Sequence, residues 1–216
     1  MQIFLDTASV EDVREAVKLG VVDGITTNPS LIAKSGKALR DVAVAMCELV
    51  QGPVSAEVIS TEFEPMKKEA ENVASWHEHI VVKVPLTHAG LRVVAALAPK
   101  GIRFNVTLCF SVNQALLAAK VGASYISPFV GRWDDIDKPG IDLIPEIIQV
   151  YENYGYPTQV LVASVRSPLH VSQAAMAGAH AVTIPPNIFD KLIKHPLTDI
   201  GLAKFLADYR AARGDA

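Results

Sequence analysis

Ile80-Val81-Val82-Lys83-Val84-Pro85 reads as a parallel strand buried on both faces, with a lysine set in its middle. Burial disfavours the ammonium ion, so such a side chain offers a neutral amine. A neutral amine is what attacks a carbonyl carbon to form a Schiff base. The alternative is an edge-strand lysine that guards against aggregation, a device a closed barrel does not need because it has no edge. Lys83 therefore ties the fold question to the chemical one.

Outward from this run, the same kind of segment recurs along the chain. Short β-rich stretches at 2–5, 24–27, 54–58, 103–107, 125–128, 159–163 and 181–184 bring the count to eight. Helical stretches near 9–18, 38–50, 63–75, 88–97, 111–120, 141–153 and 167–176 separate them, with 187–194 and 199–212 after the last. Strict alternation predicts a parallel sheet, since each crossover needs a helix to cover the sheet face. Eight units in 216 residues leave about 27 residues each, short but adequate for a (β/α)8 TIM barrel. Thr61-x-x-Glu64 and Ser111-x-x-Gln114 read as capping boxes, and Ser167-Pro168 as a cap followed by a first-turn proline. Three segments ending at Gly20, Gly122 and Gly178 close helices on glycine, each followed by a β-rich run and then Pro29, Pro128 or Pro185 at the strand end. A doubly wound open sheet would show similar units, so repetition alone does not decide closure. No linker composition interrupts residues 1–216, which read as one domain.

Composition narrows the function classes. The 216 residues are 50% hydrophobic and 20% charged, with 20 basic against 23 acidic side chains and a net charge of −3. This balance gives no electrostatic reason to expect nucleic acid or an anionic membrane as partner. Cys47 and Cys109 lie far apart without CxxC spacing and read as reduced packing residues. The opening Met-Gln-Ile-Phe-Leu-Asp lacks the basic stretch and apolar core of a signal peptide, and no apolar run approaches a membrane span; a cytoplasmic location is the expectation.

Polar residues gather where barrel enzymes place their chemistry, at the C-terminal ends of the strands. Asp6 ends the first and Thr27-Asn28 the second. Ser55 and Glu57 sit two apart on the third, as do Asn105 and Thr107 on the fifth, Ser127 and Phe129 on the sixth, and Ser164 and Arg166 on the seventh. A spacing of two puts each pair on one face of its strand. Asp6, Thr27 or Ser164 alone reads better as a helix cap; repetition over seven strands points instead to a polar ring converging on Lys83. Arg132 and Arg166 follow strands six and seven, a neighbourhood where barrels bind substrate phosphate. For Arg132 a surface ion pair with Asp134 or Asp135 is the alternative.

Other motifs carry less. His77-Glu78-His79 precedes strand four, at the opposite end of the barrel, and lacks further ligand spacing. Trp133-Asp134-Asp135 fits a solvated loop better than an acidic metal site. The glycines form neither GxGxxG nor a P-loop, so no nucleotide cofactor is expected, nor a metal. The Leu/Ala stripes of 112–120 and 199–207 have helical spacing suited to core or subunit contacts.

Taken in order, Leu5-Asp-Thr-Ala8, Gly24-Ile-Thr-Thr-Asn-Pro-Ser30, Ser55-Ala-Glu-Val58, Val82-Lys-Val-Pro85, Asn105-Val-Thr107, Ser127-Pro-Phe-Val-Gly-Arg132 and Ala163-Ser-Val-Arg166 resemble the small transaldolase family. The likeness spans nearly the whole chain, including Lys194-His-Pro-Leu-Thr-Asp199 and the helix after it. It implies a class I aldolase-type TIM barrel with an additional C-terminal helix, acting on sugar phosphates in the pentose phosphate pathway without a cofactor. It further implies Lys83 as the Schiff-base lysine, Asp6 as the acid/base of carbon–carbon cleavage, and Glu57 with Thr107 as the pair that moves protons during imine formation. Thr27, Asn28, Asn105, Ser127 and Phe129 would contact or orient the intermediate, and Arg132, Ser164 and Arg166 would hold the phosphate. The family also contains a fructose 6-phosphate aldolase form, in which Gln and Tyr typically stand where this sequence has Glu57 and Phe129. By the same analogy the chain is expected to be a homo-oligomer, a pentamer or decamer, with the terminal helix 199–212 as a docking arm.

Overall fold

The computed structural model describes residues 1–213. Eight parallel strands close into a barrel in sequence order: β1 (Gln2–Asp6), β2 (Gly24–Thr26), β3 (Val54–Glu57), β4 (Ile80–Pro85), β5 (Phe104–Cys109), β6 (Tyr125–Pro128), β7 (Gln159–Val162) and β8 (Ala181–Ile184). Closure is made by β1 against β8, with Gln2 opposite Ala181 and Leu5 opposite Ile184. That pairing excludes the open sheet.

The helices are α1 (Val10–Val17), α2 (Pro29–Ser35), α3 (Leu39–Val50), α4 (Phe63–Ala74), α5 (His88–Leu97), α6 (Val112–Lys120), α7 (Val130–Asp134), α8 (Leu143–Tyr154), α9 (Pro168–Met176), α10 (Pro186–Ile193) and α11 (Pro196–Arg213). Ser111 and Ser167 cap α6 and α9 through the amides of Gln114 and His170. Thr61 does not cap α4. That helix starts after Glu62, and the loop amides of Ile59 and Ser60 donate instead to the Glu69 carboxylate, a turn and a half into it. Gly20, Gly122 and Gly178 all take left-handed backbone, as the helix stops require. The prolines that follow act differently from one another: Pro128 ends β6, whereas Pro29 opens α2 and Pro185 precedes α10. Among the described residues no helix is long and apolar enough to cross a membrane.

Alternate strand residues divide between two environments. Leu5, Ile25, Ala56, Val82, Val84, Val106, Val160 and Val182 face the helices and belong to the large core between sheet and helix layer. The opposite parity points into the barrel. Phe4, Val81, Tyr125, Leu161 and Ala181 plug its lower half, with the Phe4 and Tyr125 rings edge-to-face at 5.9 Å. Gly24 is required by this plug: a Cβ there would lie 2.7 Å from the Phe4 ring and 2.6 Å from the Pro53 carbonyl oxygen. Two residues further along, four of these five strands turn polar inside, at Asp6, Lys83, Ser127 and Thr183, which makes the plug the floor of a site.

Candidate active site

Lys83 stands on that floor, at the middle of β4, with its side chain only 6% exposed. Its Nζ donates to the Thr27 carbonyl oxygen at 2.9 Å and lies 2.9 Å from Glu57 Oε2. The partnership follows from register, since Glu57 on β3 is paired directly with Lys83. A buried ammonium thus has a carboxylate and a carbonyl oxygen as partners, and the carboxylate is positioned to take its proton.

Asp6 lies across the barrel mouth. Its Oδ1 accepts a hydrogen bond from Thr26 Oγ1 at 2.9 Å, and Thr26 Oγ1 is in turn 2.7 Å from Thr183 Oγ1. With the Thr26 proton committed to Asp6, Thr183 is the donor in the second contact. Burial raises the Asp6 carboxyl above the ordinary carboxylate range; the charge of Lys83 and hydrogen bonds from Thr26 and Asn28 oppose that rise. The site therefore holds one carboxylate in ion-pair contact with the amine and a second, made more basic by burial, facing it.

Amides and hydroxyls, fully buried at Ser55, Asn105, Thr107 and Ser127 and half-buried at Asn28, brace this centre. Asn105 Nδ2 donates to Ser55 Oγ at 3.0 Å, and Ser127 Oγ donates to Asn105 Oδ1 at 2.7 Å. Asn28 Oδ1 accepts from the Leu31 amide and caps α2. Thr107 Oγ1 is buried without a hydrogen-bond partner among the described residues. A buried hydroxyl with no protein partner, lining the cleft beside Lys83, is suited to a substrate or water.

A cleft of about 330 Å³ opens above the floor, lined by Asp6, Thr26, Asn28, Lys83, Thr107, Ser127, Phe129, Arg132, Ser164, Arg166 and Thr183 among others. That size suits a small ligand. Glu57 lines an adjoining compartment with Ser30, Leu31, Lys34 and Leu108, and Asn28, Lys83, Thr107, Phe129 and Arg132 are shared between the two. Asn105 lines neither and braces the floor from beneath. Thr27 contributes its carbonyl oxygen to Lys83, while its hydroxyl turns away and donates to the Ser55 carbonyl oxygen at 2.8 Å. The hydroxyl presented to Asp6 is that of Thr26. Thr26 and Thr183 were not among the expected residues; both are polar residues near the ends of otherwise apolar strands, the same signal that marked the others.

The rim departs from simple strand alternation. β7 ends at Val162, Ala163 bridges to Phe129, and Ser164 adopts left-handed backbone with φ 60°. Ser164 and Arg166 consequently share the cleft through a turn, because the left-handed residue breaks the extended chain. Gly131, in α7, donates its amide to the Ser164 carbonyl oxygen at 3.1 Å. A Cβ on Gly131 would come within 2.2 Å of that oxygen and 2.7 Å of Arg166 Cγ, so only glycine permits this approach. Arg166, not Arg132, makes the surface ion pair, reaching Asp135 at 2.9 Å; no ion pair involves Arg132 among the described residues. A second left-handed residue, Leu108 with φ 60°, sits at a bulge in β5 on the edge of the adjoining compartment. His77 and His79 contact one another ahead of β4, and among the described residues no group of three His, Cys, Asp or Glu side chains could hold a metal ion.

A family model described as Transaldolase/Fructose-6-phosphate aldolase matches residues 3–214. A probable transaldolase from Anaeromyxobacter dehalogenans is 54% identical over 209 residues, covering 97% of this chain and 96% of that one. Probable transaldolases from Leptospira biflexa and Clostridium perfringens are 53% and 51% identical, over 96% and 98% of this chain and 97% and 99% of theirs. Among solved structures, a thiamine phosphate pyrophosphorylase from Pyrococcus furiosus superposes with a TM-score of 0.60 at 15% identity, over 85% of each chain. A flavocytochrome b2 mutant with pyruvate bound gives 0.62 at 13% identity, over 86% of this chain and 56% of that one. At such identities the structural likeness is one of fold alone.

Proposed function

The chain belongs to the transaldolase/fructose-6-phosphate aldolase family, and we propose that it is a transaldolase working through a Schiff base on Lys83. The observation that carries this reading is the buried Lys83 amine, 2.9 Å from the Glu57 carboxylate and facing Asp6 in one cleft. The donor is a ketose phosphate, fructose 6-phosphate or sedoheptulose 7-phosphate, with its phosphate toward Arg132, Ser164 and Arg166. Lys83 passes a proton to Glu57 and attacks C2 as the neutral amine. The attacking nitrogen gives one further proton to the former carbonyl oxygen, protonated Glu57, working with the Thr107 hydroxyl, adds the one it took, and the oxygen leaves as water to give the iminium. Asp6 takes the proton of the C4 hydroxyl. The C3–C4 bond breaks, its electron pair moves into the iminium, and an aldose phosphate departs. The remaining enamine attacks the carbonyl of a second aldose phosphate, glyceraldehyde 3-phosphate or erythrose 4-phosphate. Asp6 returns its proton to the new alkoxide, and hydrolysis releases the product ketose. The protonated imine is itself the electron sink, so these steps call for neither metal nor cofactor. Burial of Asp6 supports its part, because a carboxylate made more basic takes a hydroxyl proton more readily and still gives it back. This chemistry belongs to the pentose phosphate pathway, in the cytoplasm.

The second reading is a fructose 6-phosphate aldolase that releases free dihydroxyacetone. Phe129 bears on the choice: it lines both compartments beside Lys83 and carries no phenol to protonate the enamine. The enamine then waits for an aldehyde. Fructose 6-phosphate turnover with and without erythrose 4-phosphate separates the two readings. Sedoheptulose 7-phosphate formed only with acceptor supports transaldolase; rapid dihydroxyacetone release without acceptor overturns it. The same unphosphorylated product should appear faster in Phe129→Tyr.

We also propose that the protein is a homo-oligomer, pentameric or decameric as the family resemblance implies, with α11 as the docking arm. No residue of α11 is buried, yet it displays Leu197, Ile200, Leu202, Phe205, Leu206 and Tyr209. A helix that exposes these apolar side chains and buries none of its described residues is suited to a second copy.

A further inference from the structure

We infer that His170 is a positioning residue for the phosphate end of the cleft, a clasp that sets Arg166 and Arg132 relative to one another. The inference rests on the reading above, in which Arg132, Ser164 and Arg166 hold the substrate phosphate. Those residues come from two separate loops. Arg132 is on α7, after β6; Ser164 and Arg166 lie on the turn between β7 and α9. Neither loop is held by strand pairing at the arginine, and Ser164 is in left-handed backbone. Something must fix the spacing of the two guanidinium groups if they are to meet one phosphate.

His170 occupies the junction. Its side chain is 14% exposed, and both ring nitrogens are engaged. Nδ1 accepts from the backbone amide of Arg166 at 3.3 Å, and Nε2 lies 3.0 Å from Asp134 Oδ2 on α7. With Nδ1 accepting, the ring proton sits on Nε2, the nitrogen that faces the Asp134 carboxylate, so one tautomer is compatible with both contacts. Asp134 is itself anchored, since its Oδ1 accepts from the Gly140 amide at 3.1 Å. The imidazole is fixed from behind by the cap of α9, the His170 amide donating to Ser167 Oγ. A chain therefore runs from Gly140 through Asp134 and His170 to the main chain of Arg166. It crosses the gap beside the Gly131 to Ser164 backbone contact.

The visible ion pair is a weaker tie. Arg166 and Asp135 are 52% and 48% exposed, so solvent screens their attraction and a phosphate can compete for the guanidinium. The His170 contact, in contrast, grips the backbone of Arg166 and leaves its side chain available. His170 itself lies outside the set of residues lining the cleft, so it acts through Arg166 and Arg132.

The test compares His170→Ala, His170→Asn and Arg166→Ala with the wild type in full-length protein. KM and kcat are measured for fructose 6-phosphate, and Ki for inorganic phosphate as a competitive inhibitor. His170→Ala should raise both KM and the phosphate Ki about tenfold while kcat stays within about twofold, a loss of the size a slipped positioning contact produces. His170→Asn, whose amide oxygen can stand where Nδ1 accepts, should recover part of that loss. A merely structural role predicts kcat and melting temperature falling together with no selective loss of phosphate. If Arg166→Ala weakens phosphate binding but His170→Ala does not, the clasp is overturned and the phosphate reading survives. If Arg166→Ala leaves the phosphate Ki unchanged, the phosphate reading fails and the clasp falls with it.

Discussion

Replacing Lys83 by Met should destabilise the protein more than replacing Glu57 by Gln, and the two changes together should cost far less than their sum. Unit charges 2.9 Å apart at an effective dielectric constant of about 20 attract by about 6 kcal/mol. Against this stands the desolvation of each ion, several kcal/mol apiece, so the intact pair contributes little net stability. Truncating one partner is another matter. Lys83→Met strands Glu57, 13% exposed, and also removes the charge that opposes the raised proton affinity of Asp6. The expected loss is about 3–5 kcal/mol. Glu57→Gln leaves Lys83 with the Thr27 carbonyl oxygen and the facing Asp6 carboxylate, so its loss should be smaller. The double variant buries a thioether beside an amide and should recover most of what Lys83→Met loses, a non-additivity of about 2–3 kcal/mol. Urea unfolding of the four proteins at one protomer concentration measures this. Additivity within about 0.5 kcal/mol would refute the claim that the two charges are buried against one another.

Other expectations follow from the same geometry. Because burial raises Asp6, the native protein binds more protons than the unfolded chain between the ordinary carboxylate value and the raised one, so stability falls as pH rises through that window. Asp6→Asn should then be more stable than wild type at neutral pH by about 0.5–2 kcal/mol, lose that advantage below the ordinary carboxylate range, and turn over about 10²–10⁴-fold more slowly. Urea unfolding at both pH values with a rate assay checks this, and equal stability at neutral pH would contradict it. Gly131→Ala pushes a methyl into the Ser164 carbonyl oxygen and should cost about 1–3 kcal/mol while raising KM for phosphorylated donors; a normal KM would count against the close-approach argument. Phe205→Glu combined with Leu206→Glu should yield a smaller species in sedimentation, and an unchanged assembly would remove α11 from the interface.

Much of this architecture is legible in the residues, for identifiable reasons. Continuous apolar runs such as Val81-Val82 and Val160-Leu161-Val162 mark strands buried on both sides, and glycines in left-handed backbone mark where helices stop. The short helices α2 and α7 escape such a reading. Seven and five residues are too few for a helical period to emerge, and Pro29 and Gly131 look like loop. Closure of the barrel is also beyond the residues' reach, because it depends on β1 meeting β8 across the whole chain.

At the site, residues inside strands are more legible than those at the rim. Glu57, Lys83 and Asn105 share one inward parity, fixed by pairing across β3, β4 and β5. Thr26 and Thr27 could not be told apart, since both are threonine and β2 is only three residues long. Register settles it: Asp6 pairs with Thr26, which puts that hydroxyl inside. Arg132 and Arg166 lie where local turns set direction, so their proximity to one cleft was legible while the Asp135 and His170 contacts were not.

Everything chemical in this account requires that Lys83, and no other lysine, bonds to the donor. Sodium borohydride reduction in the presence of fructose 6-phosphate, followed by peptide mass spectrometry, tests it directly. A reduced three-carbon adduct is expected on the peptide carrying Lys83. Adduct on a different lysine, or none at all in protein that turns over substrate, would contradict it.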